Sequence, residues 1–173
     1  MKLLLAALIF SISVSAQQFT STEGSISFEA SVPSFEEVKA TSDKATCIIN
    51  GTAVQASVAI NSFEFRLPLM QEHFNEHYME SDKYPRAVLK GNLEKVVSPG
   101  NAPAYKIRGK LTLHGKTRKV HIPVQLKGDQ TLEMYAAFTI NLSDYAIKVP
   151  TLVKSKIAEQ VTIRCRFVLV KVE

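Results

Sequence analysis

The chain has 173 residues, of which 46% are hydrophobic, 21% charged and 8% aromatic, and this ordinary globular composition excludes a collagen-like chain, a low-complexity polymer and wholesale disorder. The formal net charge is +5, but the 21 basic residues are scattered among 16 acidic ones, so no clustered basic stripe points to nucleic acid. The length suits one domain, and two cysteines are too few for a disulfide-dense scaffold.

The first sixteen residues have the pattern of an export signal. Lys2 supplies a positive start, residues 3–12 are apolar apart from Ser11, and Val14-Ser15-Ala16 provides small residues at the cleavage spacing. This apolar run is too short for a stable transmembrane helix, and no later run is long enough to span a bilayer. We therefore expect a signal peptide over residues 1–16, one domain over residues 17–173, and a periplasmic or secreted protein.

Most of the chain after the signal alternates apolar and polar residues with a period of two. The apolar rows run, in chain order, through Ile26 and Phe28, Val54 to Ile60, Ile107 to Leu113, Val120 to Leu126, Leu132 to Leu142, and Val161 to Leu169. Turn residues separate the rows at Asn50-Gly51, Ser98-Pro99-Gly100-Asn101, His114-Gly115 and Lys127-Gly128. One apolar face per strand predicts an all-β fold with an antiparallel sheet of about eight strands, in a sandwich or a barrel.

One segment departs from this alternation. Residues 69–81 follow Pro68, a residue tolerated at a helix start, and they place apolar or aromatic side chains at helical spacing. The stripe consists of Met70, Phe74, His77, Tyr78 and Ser81. Tyr84-Pro85 follows, and the residue before a proline resists helical geometry. The spacing predicts a helix of about three turns over residues 69–81.

Four segments, taken in order, resemble the YceI-like family of exported lipid- or polyisoprenoid-binding proteins. They are Leu69–Pro85, Lys90-Gly91-Asn92-Leu93, the hairpin sequence from Gly109 to Thr117 with Val120 and Pro123-Val124, and Phe138–Ile147. The resemblance extends over essentially all of the chain after the export signal. The resemblance implies an extended, lipocalin-like antiparallel β-barrel of about eight strands with one short helix.

The resemblance also implies a function, because family members hold an amphiphilic isoprenoid or fatty chain inside the barrel and no catalysis is established for the fold. We expect an exported soluble binding protein that sequesters or carries such a chain, with no enzymatic activity and no cofactor besides this ligand. The sequence leaves the oligomeric state open, a homodimer included. Ala146 stands where relatives usually have glycine, and Leu142 or Ser143 replaces an arginine that often precedes the Asp-Tyr turn.

Candidate ligand-lining residues follow from the inward-facing apolar positions and from the helix stripe. An eight-stranded barrel is just wide enough to be filled by its own side chains or to hold one slim ligand. Small residues on the apolar strand faces, such as Ala56 and Ala136, favour a barrel that holds a ligand over one filled by its own side chains. The candidates are Phe28, Val58, Ile60, Phe63, Phe65, Met70, Phe74, Tyr78, Leu111, Leu113, Ile122, Ala136, Phe138, Tyr145, Ile163 and Phe167.

Among these candidates, Phe63 and Phe65 are expected at the barrel mouth, and Met70, Phe74 and Tyr78 on a helical lid. Tyr145 is expected to offer its hydroxyl to a head group of the ligand. Tyr84, which is not among the candidates, could do the same. The alternative is a barrel filled by its own side chains that acts through its outer surface, as an interaction or stress module.

A second alternative is a small zinc-dependent hydrolase. Residues 73–77 read His-Phe-Asn-Glu-His, and on a helix two histidines one turn apart can bind Zn²⁺ while the glutamate acts as base. Such an enzyme needs another carboxylate on a second helix, which the sequence does not offer. We therefore expect no metal at His73, Glu76 and His77. The other two histidines, His114 and His121, flank a turn and are expected at the surface.

The two cysteines, Cys47 and Cys165, would meet an oxidising environment after export. Cys165 shares the inward-facing row of Ile163 and Phe167, whereas the facing of Cys47 is not clear from the sequence. We expect two buried or half-buried thiols and leave the disulfide as the alternative.

Overall fold

In the described part of the chain, antiparallel pairing brings eight of ten strands into a closed ring, which confirms the predicted barrel. The computed structural model describes residues 17–33, 35, 37–96 and 104–172. The ten strands are β1 (Gln18–Ser31), β2 (Lys39–Ser42), β3 (Thr46–Asn50), β4 (Ala53–Ala59), β5 (Glu64–Phe65), β6 (Arg86–Val96), β7 (Ala104–Leu113), β8 (Lys116–Lys127), β9 (Thr131–Asn141) and β10 (Ile157–Val172). The predicted signal peptide and the predicted turn Ser98–Asn101 lie outside the described residues.

The ring follows chain order through β1, β3, β4, β6, β7, β8, β9 and β10, and β10 closes it by pairing with β1. The two short strands lie beside the ring. The later part of β1 pairs with β2 instead of β3, and β2 pairs with β5. This extra pair extends the wall at the end of the barrel where the helical segment follows Phe65.

Two predicted hairpin turns are confirmed by their backbone geometry. Gly51 has φ 58° in the two-residue connection between β3 and β4. Between β7 and β8, His114 and Gly115 have φ values of 48° and 68°, and positive φ at both central positions is the requirement of a type I′ hairpin. Glycine is needed at position 115 for a second reason, since an added Cβ would lie 2.6 Å from the ring of Tyr84.

The pairing between β8 and β9 is short compared with the pairing of β9 with β10. β9 pairs with β10 from Thr131 to Asn141, but it pairs with β8 only opposite Val124 to Lys127. The ladder ends beside Pro123, which has no N–H to donate. Beyond this point a 3₁₀ turn, Leu142–Tyr145, packs against β8, β9 and β10. The turn buries Tyr145, of which only 2% is exposed.

The predicted helix over residues 69–81 is wrong in its C-terminal boundary. An α-helix, α1, covers Pro68–His73, and a π-helical turn covers Phe74–Tyr78. The N–H of Met79 donates to the carbonyl of Phe74 five residues earlier, and Glu80 then adopts φ 44°. The left-handed conformation of Glu80 ends the helical segment before Tyr84-Pro85 is reached. We refer to Pro68–Tyr78 as the lid.

Ala146 adopts the left-handed conformation that favours glycine, with φ 55° and ψ 28° after the 3₁₀ turn. We expect Ala146→Gly to stabilise the protein by about 0.5–1 kcal/mol, because an L-residue is strained in this region and the larger unfolded-state entropy of glycine offsets only part of the gain. Urea unfolding measures the difference. In Ala53→Gly, an exposed and extended position of β4, the same change should destabilise the protein. A loss of stability in both variants would contradict the assignment of strain to Ala146.

The hydrophobic core lies inside the barrel as two clusters. The larger one contains Cys47, Phe167 and Leu169, and the smaller one contains Ile60 and Met79 near the lid. Half-buried side chains pack against both clusters, among them Phe28, Phe74 and Phe138. The two clusters leave space between them, and this space is the candidate site.

Candidate functional site

A cavity of about 340 Å³ lies inside the barrel and is lined by residues of both core clusters. The volume falls at the lower end of the range of small-molecule sites. It equals roughly eleven times the volume of one water molecule in the liquid, and a methylene group takes similar room, so a chain of the order of ten carbons would fill it. The wall is almost entirely apolar side chains of the strands and the lid.

Fifteen of the sixteen candidate residues line this cavity. The strands contribute the inward-facing candidates from Phe28 to Phe167, and the lid contributes Met70, Phe74 and Tyr78. Ala136 lies on β9 between Val124 of β8 and Cys165 of β10 and lines the cavity with a small side chain. Contact of these residues with a ligand remains a prediction.

Tyr145 is the candidate that the structure places elsewhere. It is buried within the smaller core cluster and does not line the cavity. The reason is the short pairing of β8 with β9, because the 3₁₀ turn that carries Tyr145 packs against β8 past the end of the ladder. Tyr84 does not line the cavity either. The ring of Tyr84 packs edge-on against His114 at 4.6 Å between centroids.

Four phenylalanines fasten the lid to the barrel, and we call them the aromatic cluster: Phe28 of β1, Phe63, Phe65 of β5 and Phe74 of the lid. Phe74 lies at the centre, with its ring centroid 5.0 Å from that of Phe65, 5.4 Å from Phe28 and 6.0 Å from Phe63. These separations are those of favourable aromatic pairs. The cluster therefore holds the lid over the cavity by apolar contacts.

The far end of the lid is held by a polar junction, and here the surface expectation for His114 is wrong. His114 is only 8% exposed. Its Nδ1 donates to the carbonyl oxygen of Tyr145 at 3.1 Å, since a carbonyl can only accept, and its Nε2 pairs with Oε2 of Glu80 at 2.9 Å. One side chain thus joins the chain after the lid, the β7–β8 turn and the 3₁₀ turn after β9. His121 is exposed, as expected.

Several lining residues were not among the candidates. Two of them, Ile140 of β9 and Val161 of β10, belong to apolar strand rows, so the period-two alternation could have identified them. Another, Met79, directly follows the lid. The segment between β9 and β10 has no regular alternation, and no sequence signal marked its contribution. Apart from Leu142, which ends the predicted apolar row of β9, its lining residues are Ile147, Val149, Val153 and Lys156.

The two histidines of the sequence His-Phe-Asn-Glu-His at residues 73–77 differ in their position relative to the cavity. The ring centroids of His73 and His77 lie 5.5 Å apart, and both residues are exposed. His73 lines the cavity, whereas His77 does not. Within the described part of the chain, no group of three or more His, Cys, Asp or Glu side chains is placed to hold a metal ion.

Both cysteines are free in the structure, with Cys47 buried and Cys165 half-buried, which agrees with the expectation of two thiols. Burial raises the pKa of Cys47 to about 12, and the neighbouring Cys165 adds to the shift. Burial likewise raises the pKa of Cys165 to about 12. Both side chains are therefore neutral thiols at physiological pH.

These pKa values predict that neither thiol reacts with a thiol reagent in the native protein at pH 8. Only the thiolate is a nucleophile, and a pKa of about 12 leaves roughly one molecule in ten thousand ionised at that pH. Without reductant, we expect no thiol per chain to react in buffer and two to react in denaturant. Fast reaction in buffer would contradict the burial, and no reaction in denaturant would show a disulfide.

No helix in the described ranges combines the length and the apolar composition that crossing a membrane requires. The architecture is a closed antiparallel barrel with an apolar internal cavity under a short helical lid, which is that of a lipocalin-like protein. The family model of the YceI-like domain matches residues 8–169, and the chain belongs to the YceI-like family.

Solved structures show the same fold at low sequence identity. Burkholderia cenocepacia BcnA has a TM-score of 0.70 and 19% identity, over 84% of this chain and 95% of that protein. A polyisoprenoid binding domain from Saccharophagus degradans, implicated in plant cell wall breakdown, has a TM-score of 0.73 and 15% identity. The match covers 88% of this chain and 97% of that domain. The YceI protein of Campylobacter jejuni has a TM-score of 0.55 and 13% identity, and the match covers 100% of this chain and 94% of that protein. No curated protein sequence matches the chain.

Proposed function

We propose that this protein is an exported binding protein that sequesters or carries a hydrophobic isoprenoid or lipid chain inside its barrel. The observation that carries the proposal is the cavity of about 340 Å³ with an almost wholly apolar wall. The binding role is burial of apolar surface and involves no bond making. Membership of the YceI-like family and the fold shared with a polyisoprenoid binding domain support the same role.

The size of the cavity sets the scale of the binding energy. Burying a chain of about ten carbons, at about 0.8 kcal/mol per CH₂, contributes roughly 8 kcal/mol before the costs of association. That gross gain corresponds to a micromolar complex, and the costs of association reduce it. Contacts of the remaining part of the ligand at the cavity mouth therefore matter for the net affinity.

The direct test is native mass spectrometry of the protein purified from its own host without detergent, followed by organic extraction. We expect a mass increment from one noncovalent ligand, which extraction removes and identifies as an isoprenoid or an acyl compound. A bare mass, together with no uptake of added prenyl alcohol or fatty acid, would contradict the proposal. The barrel would then act through its outer surface.

Export is part of the proposal and rests on the charge and hydropathy pattern of residues 1–16. Terminal sequencing of the protein from the native host tests it. We expect a mature terminus near Gln17 in the periplasmic or secreted fraction. A protein that retains Met1 and stays in the cytoplasm would overturn this part.

A further inference from the structure

We propose that the mouth of the cavity binds an anionic head group, a carboxylate or a phosphate, through Lys156 and His73. The inference rests on the proposed function and adds the chemical class of the ligand. The mouth is defined as the part of the cavity lined by these two residues, both of which are exposed.

At physiological pH, the described side chains that line the cavity can carry positive charge but no negative charge. None of the described lining residues is Asp or Glu, and Lys156 and His73 are the two whose side chains can carry a positive charge. The deeper wall, at residues such as Ile107 and Ile122, is buried and apolar. An amphiphile with its chain on that wall therefore presents its head group where only positive charge is available.

The backbone that carries Lys156 is fixed beside the cavity. The next residue, Ile157, begins β10 and pairs with Ser31 of β1. The hydroxyl of Ser31 accepts a hydrogen bond from the N–H of Val38, which also lines the cavity. Lys156 thus projects from an anchored position, which lowers the entropic cost of using its ammonium group in a site.

The surroundings of Lys156 reinforce the positive potential. Between residues 146 and 156 the chain carries Lys148, Lys154 and Lys156 and no acidic residue, and Val149 and Val153 of the same segment line the cavity. None of the three lysines forms an ion pair with a described residue. The acidic residues on the neighbouring elements do not line the cavity, namely Glu29 of β1, Glu37 before β2, Glu64 of β5, Glu72 and Glu76 of the lid, and Glu159 of β10.

Tyr78 supplies a neutral donor in the wall of the same cavity. Its side chain lines the cavity and is half-buried, and its hydroxyl forms no hydrogen bond to another described residue. Burial raises the pKa of Tyr78, so the hydroxyl stays protonated. A cationic group, a second protonatable nitrogen and a phenolic donor suit an anionic oxygen, because charge-assisted hydrogen bonds are stronger than neutral ones.

The test compares ligands that differ only in the head group. Dodecanoate, dodecyl phosphate, dodecanol and dodecylamine are titrated against the delipidated protein at low salt, below their micelle concentrations. We expect the two anions to bind about 1.5- to fivefold more tightly than the alcohol, the range for exposed charge pairs, and the amine to bind most weakly. The ratio of phosphate to carboxylate affinity identifies which anion the site prefers.

Variants assign the preference to the two residues. In Lys156→Gln, His73→Gln and the double variant, the ratio of anion affinity to dodecanol affinity, measured within each variant, should fall towards one. Lys171→Gln is the matched control, because Lys171 is exposed on β10, pairs with Phe19 and does not line the cavity. This control should keep the full preference.

The outcomes separate the inference from the proposed function. If none of the four amphiphiles binds, the proposed function fails and the inference fails with it. If all four bind equally, if the amine binds best, or if the double variant keeps the anion preference, the inference is overturned while the binding function stands. A thermal unfolding curve for each variant verifies that the exposed substitutions leave the fold intact.

Discussion

Ala136→Phe is expected to eliminate binding of a long prenyl or acyl chain and to leave the ligand-free barrel folded. Ala136 lines the cavity from β9 and is half-buried, so a larger side chain can extend into space that is already present. A phenyl ring there displaces a ligand segment of roughly four or five carbons. At about 0.8 kcal/mol per CH₂ this removes about 3–4 kcal/mol, or two to three orders of magnitude in Kd.

Two measurements check this result: the Kd for a fluorescent acyl or prenyl probe, and the thermal unfolding of the ligand-free protein. The matched control is Ala137→Phe, because Ala137 is the next residue of β9, is exposed and does not line the cavity. The control should bind the probe as the wild type does. The comparison holds the strand and the chemical change constant and varies only the face of the sheet.

A different outcome would identify a filled barrel. Overpacking of a close-packed core costs about 1–3 kcal/mol, so a strongly destabilised Ala136→Phe would mean that no usable space lies beside this residue. Strong destabilisation combined with a wild type that takes up no probe would contradict the binding function. The surface-module alternative would then be the better account.

Phe74→Ala is expected to loosen the lid and to destabilise the protein by about 2 kcal/mol. Full truncation of a buried phenylalanine costs about 3–5 kcal/mol, and Phe74 is half-buried, so roughly half of that value applies. The variant loses ring contacts with Phe28, Phe63 and Phe65. We expect the unfolding temperature to fall by about 4–8 °C and a bound probe to dissociate faster.

Leu69→Ala is the control for the lid. Leu69 is the residue after the helix start, and 62% of it is exposed, so its truncation should change stability by no more than about 0.5 kcal/mol. Calorimetry and stopped-flow dissociation of the probe compare the two variants. If Leu69→Ala and Phe74→Ala gave equal effects, the aromatic cluster would not be what holds the lid.

The two attachments of the lid differ in kind. The aromatic cluster near its start is apolar and can adjust to a ligand, since aromatic pairs tolerate a range of geometries. The junction near its end depends on directed hydrogen bonds of a single side chain, His114, to Glu80 and to the Tyr145 carbonyl. The start of the lid is also joined to β5 by one hydrogen bond, in which the N–H of Phe65 donates to Oε1 of Gln71 at 3.2 Å.

The sequence by itself determined the class of fold and most of the cavity wall. Period-two alternation separates the two faces of a strand, and a closed barrel has a single interior, so every inward-facing apolar residue faces the same space. For that reason Val58, Ile122 and Ile163, from three different strands, could be assigned to one cavity. The turn at His114-Gly115 was equally readable, because a two-residue hairpin needs residues that accept positive φ.

Only the tertiary structure decided the features that depend on contacts between distant segments. Pro123 ends the β8–β9 ladder, and the 3₁₀ turn packs Tyr145 into the core and brings its carbonyl to His114. No local pattern reports such a contact, so Tyr145 was predicted in the cavity and His114 at the surface. Lys156 was missed for the same reason. It belongs to a segment without periodicity, and its place at the cavity mouth follows from the pairing of Ile157 with Ser31 across the closed ring.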